Sequence, residues 1–551
     1  MHLRTGTALV SLLLVGLTHQ VVANPLPLND ETPLRRRYTV QKYRADTVKK
    51  AFQTAWNGYY KYAFPHDSLR PATNTYSDDR CVFFSVSYEA AVPPARNGWG
   101  ASAVDAFSTA LVMENWDIVN QILDYVPTIN FSNTSTEISL FETTIRYLGG
   151  MLSAYDLMTG PLWNYAGNDT TNVTTVLVQA QRLADNLKVA FDTPSGVPDN
   201  MLRFGPPRKV GQTTNGIATI GTLVLEWTRL SDLTGNPEYG RLAQKAESYL
   251  LHPRPAFAEP FPGLLGTNVN LTTGLFVDSS GGWGGGDDSF YEYLIKMYLY
   301  DPVRFREYGE RWVKAVDSSI QYLTSHPTSR PDLTFLAMWN NRTLQFVSEH
   351  LACFNGGNFI LGGLTLDEPI YVRFGLDLVD SCHETYVKTA TGIGPEVFQW
   401  QDSRTPLNAT NNPGPPAAQA GFYNTSGFWI SNGNYVLRPE VLESIYYAYR
   451  ATGDKKYQEW AWASFQAINA TCRIGSGYSS VNDVNAPGGG GFSNFQESFW
   501  FAEVLKYSYL IFAEDAPWQV QADHTNQFVY NTECHPIRIA SGHENVAYGS
   551  T

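Results

Sequence analysis

Apolar residues along this chain recur at helical spacing. Leu437, Val441, Ile445 and Ala448 fall at i, i+4, i+8 and i+11, which puts them on one helix face. Pro439 stands where a first-turn proline belongs. Gly453 is placed to stop that helix and Asp454 to cap the next. The same punctuation occurs at Thr234-Gly235-Asn236 with Tyr239, at Thr452-Gly453-Asp454 with Tyr457, and more loosely at Tyr300-Asp301-Pro302. The pattern predicts a weak internal repeat of helix, tight turn and helix. Polar, Gly/Pro-rich stretches at 279–288, 408–418 and 482–494 separate such units, and loops of this kind carry function. Helical hairpins that each bury one face need neighbours, and a closed all-α array buries them all as one domain.

The N-terminus departs from this pattern. Arg4, the apolar run 8–17 and Val21-Val22-Ala23 follow the order of a secretory signal peptide over residues 1–23. The run is too short for a membrane span of about 20 apolar residues, and no later stretch is long enough either. Residues 24–37 read as a pro-segment or a disordered N-terminus, with Arg35-Arg36-Arg37 either a processing site or a solvated basic patch. Residues 38–551 are then one catalytic domain. Sequons at Asn130, Asn133, Asn168, Asn172, Asn270, Asn341, Asn408, Asn424 and Asn469 favour a glycosylated protein, secreted or held in the secretory-pathway lumen. In that oxidising setting Cys81, Cys353, Cys382, Cys472 and Cys534 allow at most two disulfides, so the fold rests on a core.

Composition narrows the chemistry. Hydrophobic residues make up 43% and charged residues 17% of the 551, which excludes a disordered chain. Acidic residues number 52 against 39 basic, a net charge of −13, and no basic face suited to nucleic acid is evident. Surplus acid suits a cation or a neutral polyol. No HExxH, GxxxxGK[ST], GxSxG or GxGxxG pattern occurs. What remains is acids flanked by aromatics, in five segments: Phe141-Glu142 through Arg146 to Gly150; Asp287-Asp288 through Glu292-Tyr293; Arg438-Pro439-Glu440 with Glu443; Gln496-Glu497-Ser498; and Asn531-Thr532-Glu533-Cys534-His535. Asp288/Glu292 and Glu440/Glu443 each place two acids one helical turn apart, a repulsive arrangement unless a cation or hydroxyl groups lie between them. Glycoside hydrolysis needs such a set, one protonated acid and one carboxylate.

At these residues the chain resembles glycoside hydrolase family 47, the class I α-1,2-mannosidases, and most closely the secreted fungal members. The resemblance covers nearly the whole mature chain, from Ala51-Phe52 and Trp56 through Asn97-Gly98-Trp99-Gly100 and the five segments to His535-Pro536. It implies an (α/α)7 barrel with a β-hairpin plug and an inverting, Ca²⁺-dependent exo-hydrolase that trims terminal α-1,2-linked mannose in N-glycan processing. It assigns catalytic roles to Glu142, the general acid, and to Asp288 and Glu440, with Glu440 the base; which carboxylate is acid and which base stays open. Thr532 is implied as the Ca²⁺ ligand. Arg146, Glu292, His350, Arg438, Glu443, Glu497 and Glu533 are implied as the sugar-pocket shell, and Cys353 with Cys382 as a disulfide. The expected partner is a high-mannose oligosaccharide or glycoprotein, with no nucleic acid and no membrane span, on a monomer. A mannosidase-like lectin with little turnover, and a helical-barrel glycosidase acting on α-glucans, are the competing readings.

Some positions depart from the family pattern. His66-Asp67-Ser68-Leu69 stands where many members read HDEL, and Asp105-Ala106-Phe107-Ser108-Thr109 where many read DALDT. Two residues before Asp288 the endoplasmic-reticulum branch carries arginine, and here Gly286 opens the site. The expected consequence is removal of several α-1,2-linked mannoses from a nine-mannose oligosaccharide. Chromatography of the digest checks this, and trimming that halts after one residue overturns it.

Overall fold

The structure, a computed structural model, describes residues 38–78, 97–165 and 171–540. The signal and pro-segment readings, Cys81 and Asn168 lie outside the described residues.

The tight turns expected at Gly235 and Gly453 are present. Both glycines close a helix in the left-handed region, at φ 69° and 70°, where only glycine avoids a Cβ penalty. Asn236 Oδ1 then accepts from Glu238 N at 3.0 Å, and Asp454 Oδ1 from Lys456 N at 2.9 Å, so each turn caps the following helix. At the third site no glycine is used; Asp301, in extended backbone, accepts from the amides of Val303 and Arg304. Pro439 lies immediately before its helix, which begins at Glu440.

Among the described residues, helical hairpins form a closed ring, an (α/α)7 barrel. The outer helices are α1 (Lys42–Tyr62), α3 (Trp116–Tyr125), α5 (Thr171–Leu187), α7 (Glu238–Leu251), α9 (Arg306–Ser318), α11 (Pro369–Val387) and α13 (Lys455–Thr471). The inner helices are α2 (Ala101–Val112), α4 (Gly149–Thr159), α6 (Val224–Thr234), α8 (Asp288–Tyr300), α10 (Asn355–Thr365), α12 (Glu440–Thr452) and α14 (Leu505–Leu510). Each inner helix packs on the next in chain order, and α14 returns to α2. Pairing of α14 with α1 joins the two ends of the ring, where Gln41 N donates to Phe512 O at 2.9 Å.

Burial separates the two layers as the patterns require. Every residue of α2 is buried, and nearly every residue of α12, whereas α9 buries one stripe that includes Tyr308, Trp312, Ala315 and Val316. One continuous apolar core runs through both layers. A smaller core around Phe335, Phe398, Trp400 and Phe428 lies beside a three-stranded antiparallel sheet of β1 (Val347–Glu349), β2 (Val397–Gln399) and β3 (Trp429–Asn432). The last two strands, β4 (Phe528–Tyr530) and β5 (Pro536–Arg538), form an antiparallel hairpin that contacts inner helices α8 and α4, the expected plug. Cys353, in the turn before α10, is disulfide-bonded to Cys382 of α11. Among the described residues Cys472 and Cys534 are free and buried, and no helix is long and apolar enough to cross a membrane. Asn130, Asn133, Asn341, Asn408 and Asn424 are exposed; Asn172, Asn270 and Asn469 are half-buried, and Asn469 accepts from the Tyr478 phenol.

The layers meet closely where glycine faces an aromatic ring. A Cβ on Gly362 of α10 would lie 2.0 Å from Cη2 of Trp312 on α9, whose indole is itself fully buried. Gly362→Ala is therefore expected to destabilise by about 1–3 kcal/mol in urea unfolding. Gly421→Ala, in open space in a short helix, should leave stability unchanged or slightly higher.

Candidate active site

The plug hairpin places its turn, Asn531 to His535, inside the ring. The turn is tight, with Cys534 in the left-handed region at φ 56°. Asn531 organises it from within: Oδ1 accepts the amides of Glu533 and His535 at 2.9 and 2.8 Å. Its Nδ2 donates outward to Ile145 O at 2.9 Å and to Glu226 Oε1, on α6, at 2.8 Å. The Tyr293 phenol, on α8, donates to the same Glu226 oxygen at 2.7 Å and accepts from Thr532 N at 3.2 Å. Thr532 is half-buried between buried neighbours, and its hydroxyl and carbonyl oxygens have no hydrogen-bond partner among the described residues. On the far side of the turn, His535 Nδ1 lies 2.8 Å from Ser108 Oγ and Nε2 lies 3.4 Å from Asp105 Oδ1. These three side chains are fully buried, so they anchor the plug and no substrate reaches them.

A second cluster joins the plug to the first predicted segment. Residues Thr143–Leu148 form a π-helical turn between Glu142 and α4, a widening of the kind common at functional sites. Arg146 Nε donates to Glu142 Oε2 at 2.7 Å, the i,i+4 pair expected from the sequence. The same guanidinium reaches Glu533 Oε2 at 2.6 Å and Asp105 Oδ2 at 3.4 Å. Glu142 Oε1, also buried, has no hydrogen-bond partner among the described residues. Glu497 is buried just before a second π-turn, Trp500–Val504; its neighbour Ser498 lies 3.5 Å from Arg146.

The remaining acids come from α8 and α12. Asp288 is the first residue of α8, and its Oδ1 accepts from Ser289 N at 2.6 Å. Glu292 follows one turn later, paired with Lys296. Glu440 and Glu443 open α12, after a backbone strained at Leu437, φ 63°. Arg438 makes a two-pronged ion pair with Glu396. His350 follows β1 directly. It donates from Nδ1 to Glu440 Oε2 at 2.7 Å and accepts the Tyr386 phenol at Nε2 at 2.7 Å, the tautomer a carboxylate partner imposes. Glu443 accepts from the Tyr507 phenol at 3.1 Å.

Residues 51–539 match Glycosyl hydrolase family 47. The chain belongs to that family. It is 53% identical to a probable mannosyl-oligosaccharide α-1,2-mannosidase 1B of Aspergillus niger, over 98% of this chain and all of the relative. A mannosyl-oligosaccharide α-1,2-mannosidase of Penicillium citrinum is likewise 53% identical over 98% of this chain and 100% of its own. The solved α-1,2-mannosidase of Trichoderma reesei superposes with a TM-score of 0.85 at 54% identity, covering 91% of this chain and all of that one.

In this family-47 chain the acids feel one another's charge. Burial, then repulsion from Glu292 and Glu440 against the Ser289 hydrogen bonds, pushes the Asp288 carboxyl up to about 7. Burial and the charges of Glu292 and Glu440 hold Glu443 well above the usual carboxylate range. Glu503, within the second π-turn, is raised by burial and then by Glu533, Glu440 and Glu443. Glu440 is the exception: burial pushes it up, but the His350 hydrogen bond and the Arg438 charge outweigh burial and hold it below the usual value. Glu142 and Glu533 share Arg146, and Asp288, Glu292, Glu440 and Glu443 lie close enough to feel one another's charge. His350 bonds Glu440 directly, and Arg438, two residues before Glu440, is held by Glu396. Among the described residues no three His, Cys, Asp or Glu side chains are close enough to ligate one ion directly. The Thr532 hydroxyl and carbonyl oxygens are hard donors of the kind a cation such as Ca²⁺ would take, and they would hold it if it binds here.

Sequence reasoning missed Glu503, Glu226, Lys296 and Lys506. Lys296 is a lone charge in the apolar run Tyr293–Met297, and Lys506 shares the otherwise apolar stretch Ala502–Tyr507 with Glu503; charges that interrupt an inner-helix pattern were the available signal. Because Arg146 is almost wholly buried between Glu142 and Glu533, Arg146→Met should cost about 3–5 kcal/mol of stability, read from denaturant midpoints.

Proposed function

We propose that the protein is a Ca²⁺-dependent, inverting exo-α-1,2-mannosidase that removes terminal mannose from high-mannose N-glycans. The observation that carries this reading is the mutual proximity of carboxylates from inner helices, the segments beside them and Glu533 of the plug turn that also carries Thr532. The activity named for the Aspergillus niger and Penicillium citrinum relatives supports the same bond and sugar. The 1–23 segment, the exposed sequons and the Cys353–Cys382 disulfide support export and a secreted or luminal catalytic domain over residues 38–551. That domain acts as a monomer.

In this reading Glu440 is the base. His350 and Arg438 keep its carboxylate anionic, able to take a proton from water as that water attacks the anomeric carbon. Glu142 and Asp288 form the acid side: Asp288 retains its proton toward neutral pH, and Glu142 offers its unpartnered Oε1 while Arg146 holds Oε2. Raised and lowered carboxyls side by side are what acid and base roles require. Thr532 would hold the cation, which supplies a Lewis acid for the sugar hydroxyls when bound. Glu292, Glu443, Glu497, Glu533 and Glu503 line the surrounding polar shell.

Mannose release from α-1,2-mannobiose, with and without calcium, tests this reading. Metal-stripped protein is expected to lose turnover and regain it with added calcium, with a lower Tm when stripped, since a ligand that binds only the native state stabilises it. Full activity after stripping ends the calcium reading, and no release under either condition ends the mannosidase reading. The pH profile is a further check. Asp288 loses its proton as pH rises through about 7, so kcat should decline above that value, while Glu440, held low, stays anionic on the acid side. A rate still climbing at about pH 9 would remove Asp288 from the acid side.

A further inference from the structure

Two lysines grip the plug turn from opposite sides of the ring. Lys296 is on α8 and Lys506 on α14, and both are buried to 1% exposure or less. Lys296 pairs with Glu292 and places Nζ 3.4 Å from Asn531 O. Lys506 donates to Cys534 O at 2.5 Å and to Ser108 Oγ at 2.8 Å. The carbonyls they occupy are those just before and two residues after Thr532. Burying an ammonium is costly unless it is paired and hydrogen-bonded, and two such groups closing on one short turn call for a reason beyond packing.

We propose that Lys296 and Lys506 are positioning residues for the cation site. By occupying the Asn531 and Cys534 carbonyls they fix the turn so that the Thr532 hydroxyl and carbonyl are its oxygens left facing the cavity. The inference rests on the calcium reading above and adds to it two residues that touch neither sugar nor ion. It also opposes simple electrostatics. A positive charge beside a cation site repels the cation, so a lysine present only to neutralise nearby acids should weaken calcium binding, and its removal should tighten it. A lysine that sets the turn does the reverse.

Calcium titration of the metal-stripped, full-length protein by calorimetry separates the two. Lys296→Met and Lys506→Met, each checked for folding by circular dichroism, are expected to weaken calcium binding about 10-fold or more, the usual cost of losing a group that orients a metal ligand. Their lost turnover should return when calcium is raised in proportion. Should either variant fail to fold, Lys→Gln at that position, which removes the charge and keeps an N–H donor, replaces it; binding no tighter than wild type then supports the assignment and tighter binding overturns it. Folded methionine variants that bind calcium as tightly as wild type or tighter, or whose turnover saturating calcium does not restore, also overturn it. Absence of calcium binding by the wild-type protein would instead remove the calcium reading itself.

Discussion

Carboxylates crowded into a space from which water is largely excluded repel one another, and a pit that holds Asp288, Glu292, Glu440, Glu443, Glu503 and Glu533 must answer that repulsion. Several answers are visible in one place. Arg146 bridges Glu142 and Glu533, Lys296 pairs with Glu292, and His350 donates to Glu440. Where no cation or donor suffices, the carboxyl keeps its proton, as at Asp288 and Glu443. The plug turn sits among all of these groups, so its placement decides whether the acids face a shared cavity or only one another.

The barrel makes this placement possible. A closed ring of inner helices buries almost every side chain that faces a neighbouring helix, and the apolar cost of leaving that ring open would be large. Packing of each inner helix against its neighbours fixes where helix starts such as Asp288 and Glu440 lie. The π-turns at Thr143–Leu148 and Trp500–Val504 interrupt otherwise regular segments at the points where Glu142, Arg146 and Glu503 enter. The hairpin then closes one end of the ring through Asn531, whose amide alone makes four of the bonds that hold the turn.

Within this frame the acids divide their work by surroundings. Glu440 is buried and Asp288 half-buried, yet one lies below and the other above the ordinary carboxylate range. The difference is in their partners, imidazole and guanidinium for Glu440 and other acids for Asp288. A base and a proton donor can thus stand in one pocket at one pH.

Much of this was legible in the linear order. Gly235 and Gly453 marked helix hairpins because a left-handed stop followed by a capping side chain is local chemistry. Asp288/Glu292 and Glu440/Glu443 marked the site because like charges one turn apart need a reason wherever the helix lies. Glu503, Lys296 and Lys506 were not legible. Each is a charge within a mostly apolar run, and whether such a side chain meets solvent or a buried partner depends on segments elsewhere in the chain. Local propensity and spacing therefore determined the helices, their ends and the acidic helix starts. Only closure of the ring and insertion of the hairpin decided which charges meet, because electrostatic energy depends on distance through space and not along the chain.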